Sequence, residues 1–121
     1  MPALIRHLRL LALLVLVAGL GVRGAVPAGS RKSINETMGG RQSDRVEAAV
    51  AAYLRIAADH GLDPVHMALA WCKTRPFMAS VIFGATDLDQ LAHILEGADL
   101  ELSAEVLEAI DLAHRAHPMP Y

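Results

Sequence analysis

Ala79-Ser80-Val81-Ile82-Phe83-Gly84-Ala85-Thr86-Asp87-Leu88-Asp89-Gln90-Leu91 is the stretch on which the fold turns. Its first five residues are small, β-branched or aromatic, have no helical period and stop at Gly84, a pattern that reads as a short buried strand. Thr86 then stands where a helix cap belongs. Leu88, Leu91 and Leu95 mark the apolar side of a helix that Gly97 closes. A glycine before a helix start offers free backbone N–H groups and a partial positive charge at the carboxyl end of a strand, where α/β folds take phosphates and other anions. Strand-glycine-helix turns also arise for steric reasons alone, so this feature does not assign a ligand by itself. A buried strand must pair both of its edges. Its neighbours come from the N-terminal run, from another chain, or from a larger parallel sheet of which this is a piece. The fold class is α/β, mostly helical with one strand.

The helices on either side are legible from their caps. Ser43 or Asp44 starts a first helix whose apolar positions Val46, Val50, Tyr53, Leu54 and Ala57 share one face, and Gly61 ends it. Asp63-Pro64 supplies a capping carboxylate and a proline at the first helical position. Met67, Leu69, Ala70 and Trp71 carry that second helix toward Arg75-Pro76, apolar on most sides and therefore buried. After the brief extended link of Leu100 to Leu102, Ser103 caps a last helix with Val106, Leu107, Ile110 and Ala113 inward. Pro118 and Pro120 end it. No repeat is present.

Composition bounds the function. The 121 residues are 54% hydrophobic and 20% charged, which excludes intrinsic disorder and allows one small domain. Residues 1–25 form a hydrophobic segment with Arg6, Arg9 and Arg23 and no acid. Residues 26–43 form a glycine- and proline-punctuated loop, and residues 44–121 hold twelve acids against five bases. Such an acidic body repels a phosphate backbone, so nucleic acid is not a partner. The uncharged run Leu10 to Val22 has 13 residues, where a membrane-spanning helix needs about 20, so no stable transmembrane anchor is expected. Its layout fits a secretory signal with an incomplete cleavage site, a core element, or an out-of-frame reading of upstream coding sequence. Asn35-Glu36-Thr37 fits the glycosylation pattern and matters only on export.

Cys72, the single cysteine, reads as a buried small hydrophobe with no disulfide. The six histidines, among them His60, His66 and the pair His114 and His117, read as solvated surface residues, because no cysteine or carboxylate completes a recognisable ligand set. No metal site is expected.

From Val26 onward the chain resembles the C-terminal end of an aldo/keto reductase, in the bacterial branch related to potassium-channel β subunits. The resemblance rests on Pro27-Ala28-Gly29-Ser30-Arg31, Ala49 to Tyr53, His60-Gly61-Leu62-Asp63-Pro64, Met67 to Trp71 and Arg75-Pro76-Phe77. It continues through Ser80 to Thr86 with Gln90-Leu91, the most specific block, and Leu100 to Leu107. It implies the C-terminal fragment of a (β/α)8 TIM barrel, with Ser80 to Phe83 as the eighth strand and the turn after it gripping the adenosine 2′-phosphate end of NADP(H). Gly84, Thr86 and Gln90 match the family's cofactor-binding positions. Ile94 departs from the family's adenine-holding asparagine, and His93 from a residue that is often acidic or polar.

The family's tyrosine, lysine, aspartate and histidine belong to the first half of the barrel. Tyr53, Tyr121, Lys32 and Lys73 lack the matching context, so no catalytic residue is assigned. The resemblance therefore implies a truncated reductase that is inactive alone and cytoplasmic, associating with a chain that supplies the missing strands. The alternative is a small non-enzymatic helical protein, exported or docked on a membrane through residues 1–25.

Overall fold

The computed structural model describes residues 43–118. The hydrophobic segment 1–25, residues 26–42 of the loop with the Asn35 site, Pro120 and Tyr121 lie outside the described residues. Among the described residues four helices follow one another: α1 (Asp44–Asp59), α2 (Pro64–Lys73), α3 (Leu88–Glu96) and α4 (Ala104–Ala116).

Three of the four start where the sequence places them. Ser43 has extended backbone (φ −157°) and its hydroxyl accepts the Val46 N–H at 3.3 Å. Asp63 accepts the Val65 and His66 N–H groups through one oxygen, at 2.8 and 3.1 Å, with Pro64 filling the first helical position. Ser103 accepts the Val106 N–H at 3.3 Å. The end of α1 is equally local in origin. Gly61 takes φ +64°, which lets its N–H reach the Ala58 carbonyl at 3.2 Å and the Leu62 N–H reach the Ala57 carbonyl at 2.8 Å. Those two bonds are the glycine-dependent closure that turns a helix back on itself.

The core is built by α1, α2 and α4. Val46, Ala49, Val50, Tyr53 and Ala57 of α1 meet Met67, Ala68, Trp71 and Cys72 of α2 and Val106 and Ile110 of α4. Leu107 and Ala113 pack at its margin, so the face expected of the last helix is the face it buries. The second helix is as buried as its composition requires, with half of its residues in the interior.

Three expectations are corrected. Residues 79–85 form no strand: no ladder joins them to other described residues, Ser80 is exposed, Val81 is half-buried, Ile82 is 85% exposed and Phe83 is 41% exposed. A strand exists only through its neighbours, and none is present among the described residues, so strand propensity alone leaves the segment irregular. The helix after it is also displaced by one residue at its start. Asp87, not Thr86, is the cap, with φ −145° and a carboxylate that accepts the Gln90 N–H at 2.8 Å. The leucines expected to face inward do not bury. Leu88 is 80% exposed and Leu95 54%, and no residue of α3 is fully buried.

Polar contacts from α2 hold α3 instead. The last carbonyls of a helix have no partner inside it. His66 Nε2 meets the His93 carbonyl oxygen at 2.5 Å, and the Lys73 ammonium donates to the carbonyl of Ala98 just past the helix.

Ile110→Ala removes a side chain that is 1% exposed at the contact of α4 with α1, and is expected to lower stability by about 2–5 kcal/mol. Leu88→Ala is expected to change it by less than ~0.5 kcal/mol. Urea unfolding followed through the fluorescence of Trp71, the single tryptophan, measures both, and equal effects would contradict this division of the chain.

Candidate functional site

Thr86 and Gln90 are brought together at the start of α3. The Thr86 N–H and hydroxyl both donate to Gln90 Oε1, at 3.1 and 3.0 Å. The four-residue spacing puts Gln90 one helical turn beyond the threonine, so its side chain folds back over the cap. That arrangement leaves the Gln90 amide nitrogen with two free donors directed away from Thr86. The threonine hydroxyl belongs to this latch, and the carboxylate of the next residue, Asp87, caps the helix. Gly84 lies just before the latch, and a Cβ placed on it would meet nothing within 4 Å. Its surroundings are open, so no packing inside the described chain requires glycine here.

The charge at this turn is acidic. Asp87 and Asp89 sit at the helix start, and residues 79–96 contain no lysine or arginine. An anion bound here would be held by N–H and side-chain dipoles against two carboxylates. A shallow recess between the start of α1 and the end of α4 is lined by Asp44, Arg45, Ala48, Ala116, His117 and Pro118, and by none of Gly84, Thr86 and Gln90.

A second cluster escaped the sequence reading. Asp63, His66 and His93 come together between α2 and α3, with His93 Nε2 3.3 Å from the free oxygen of Asp63 and the two imidazole centroids 4.7 Å apart. The Asp63-x-x-His66 spacing, from helix cap to first turn, was the available local signal. His93 lies 27 residues beyond His66, and only the docking of α3 brings it in. The sequence reading joined no carboxylate to the histidines, and the fold sets Asp63 beside two of them. His114 and His117 are outside this cluster.

The residues with catalytic chemistry elsewhere are built into the core. Tyr53 is 1% exposed, and burial, assisted by Asp111, pushes its phenol well above the ordinary range. Burial likewise pushes the Cys72 thiol up to about 11, with Arg75 opposing the shift. Arg75 itself lies over the Trp71 ring, 4.3 Å from its centroid.

The family profile described as "Aldo/keto reductase family" matches residues 22–115. The chain belongs to the aldo/keto reductase family. It is 41% identical over 104 residues to "Protein tas" of Escherichia coli, covering 86% of this chain and 30% of that protein. It is 33% identical over 88 residues to an "Uncharacterized oxidoreductase" of Mycobacterium bovis, covering 73% of this chain and 27% of that one. A "Probable voltage-gated potassium channel subunit beta" of rice is 28% identical over 107 residues, which agrees with the branch the sequence resembles. The chain spans about a third of the length of the relatives it matches. Family membership gives the described helices their setting: a mostly helical stretch of an aldo/keto reductase.

The thiol shift makes a direct prediction. A group whose folded pKa is raised adds stability that is complete below its unfolded pKa, about 8.5 for cysteine, and is lost as pH rises toward 11. At pH 8 native Cys72 is expected to react with iodoacetamide roughly a hundredfold more slowly than after unfolding in urea, and to gain reactivity toward pH 11. Equal native and unfolded rates at pH 8 would contradict its burial.

Proposed function

We propose that this chain supplies the cofactor-gripping end of an NADP(H)-dependent aldo/keto reductase barrel, an oxidoreductase acting on carbonyl and alcohol groups. The observation that carries the reading is the Thr86–Gln90 latch at the start of α3, in a stretch belonging to this family. Gly84, Thr86 and Gln90 are the residues that hold the adenosine 2′-phosphate end. The open space at Gly84 lets a phosphate approach the backbone closely, and the Gln90 amide and the first-turn N–H groups of α3 supply donors. When bound, the cofactor supplies the hydride for carbonyl reduction.

Asp87 and Asp89 oppose an anion at this turn and no basic side chain in residues 79–96 compensates, so the grip of these residues alone is weak. Positive charge comes from outside this segment. The same division accounts for the exposed apolar residues of 79–96. Ile82, Phe83, Leu88 and Leu95 are the surface that strands and helices of the remaining barrel cover, supplied by a partner chain in this reading.

The chain alone does not turn over a carbonyl substrate. Tyr53 is sealed in the core, where no substrate reaches its hydroxyl, and its phenol is shifted away from proton donation at neutral pH. Residence in the cytoplasm goes with this reading. Among the described residues no helix is long and apolar enough to cross a membrane.

Calorimetric titration of the full chain is expected to show NADP+ binding with a dissociation constant on the order of millimolar and weaker binding of NAD+. Gln90→Ala and Thr86→Val are each expected to reduce the NADP+ affinity at least threefold. No aldehyde-dependent loss of NADPH absorbance is expected. Absence of NADP+ binding, equal affinity for NAD+, or variants that bind like the parent would overturn the assignment of the grip. Turnover in proportion to chain concentration would overturn the inactivity.

A further inference from the structure

Asp63, His66 and His93 carry chemistry that the reductase reading does not use. We propose that they form a zinc site that pins α3 to α2. Each residue offers one ligand atom, and the three atoms lie within 4.8 Å of one another. Two imidazoles and a carboxylate are a donor set that suits Zn2+, with Zn–N and Zn–O distances of about 2.0–2.2 Å and a fourth position left for water. Tetrahedral ligands at those distances stand about 3.3–3.5 Å apart, and His93 Nε2 and the Asp63 oxygen are already 3.3 Å apart.

Three features show a site arranged in advance. Asp63 spends only one oxygen on capping α2, so the cap holds the carboxylate rigidly while its second oxygen faces His93. The His66 ring meets the His93 backbone carbonyl through Nε2 at 2.5 Å. Donation of one ring nitrogen to a backbone carbonyl orients ligating histidines and leaves the other nitrogen unprotonated for the metal. The ring also lies against Gly97, where an added Cβ would come within 2.3 Å of its Cγ. Only glycine at that position admits the imidazole.

The two helix dipoles act in opposite senses here, since His93 lies in the last turn of α3 while Asp63 and His66 lie at the start of α2, so the ligand atoms decide the affinity for a cation. The gain is structural. No side chain of α3 is fully buried, and a metal bridging the cap of α2 and the end of α3 supplies the anchorage that the hydrophobic core does not.

Titration of the full chain with Zn2+ alone by calorimetry, and with Co2+ followed by its visible absorption, tests the proposal. One ion per chain is expected, with a cobalt spectrum of inner-sphere nitrogen coordination. His93→Ala, which removes a half-exposed side chain and leaves the core intact, is expected to weaken binding at least tenfold and abolish the cobalt band. Asp63→Asn, which retains a capping oxygen, is expected to weaken it similarly. His117→Ala is expected to bind like the parent. Absence of saturable binding, or binding unchanged in both His93→Ala and Asp63→Asn, would overturn the site. Neither readout involves NADP(H), so the result is independent of the cofactor assignment.

Discussion

Trp71 and the other apolar residues of α2 have to be covered on the side of α1, while the same ten-residue helix must hold α3 with its polar ends. That double demand on Pro64–Lys73 organises the described chain. On one side Met67, Ala68, Trp71 and Cys72 share a dry interior with Tyr53 and Ile110, where removing apolar surface from water supplies the stabilisation. On the other side His66 and Lys73 reach carbonyls at the end of α3, and Asp63 faces His93. Exposed polar contacts of this kind are worth far less than the burial of a large side chain. The chain therefore has a firm part and a lightly attached part, and the residues proposed to grip a cofactor lie in the second.

This arrangement makes sense of the exposed apolar residues. Ile82, Phe83, Leu88 and Leu95 have the composition of an interior and the exposure of a surface, while the helix that bears two of them has well-formed termini. Local rules of capping were sufficient to start and stop α3, because they need only neighbouring residues. Burial needs a second surface. The match to the aldo/keto reductase family spans about a third of each relative, and the proposed reading assigns the covering surface to the rest of such a protein.

The parts of the structure written in short-range chemistry were legible from sequence. Ser43, Asp63 with Pro64, Ser103 and the closure at Gly61 all act within six residues, and each does what its side chain or backbone freedom dictates. The parts that depend on distant residues were not. Ser80 to Phe83 have the propensity of a strand and no partner among the described residues. Thr86 and Asp87 are adjacent residues that can both cap a helix, and the carboxylate of Asp87 takes the Gln90 N–H, a choice that propensity does not make. His93 looked like any exposed histidine until α3 was set against α2. At the candidate cofactor site the fold brings Thr86 and Gln90 into contact, and the carboxylate of Asp87 at the cap gives the turn its acidic character.

Hydrogen exchange measured by mass spectrometry tests the division of the chain most directly, because it reads the stability of each segment separately. The amides of α1 and α4 in residues 46–57 and 106–113 are expected to be protected together, and those of residues 79–92 to exchange at rates close to those of an unstructured peptide. Protection of residues 79–92 equal to that of α1 in the isolated chain would contradict the account, since it would mean that the segment has its own anchorage in the core.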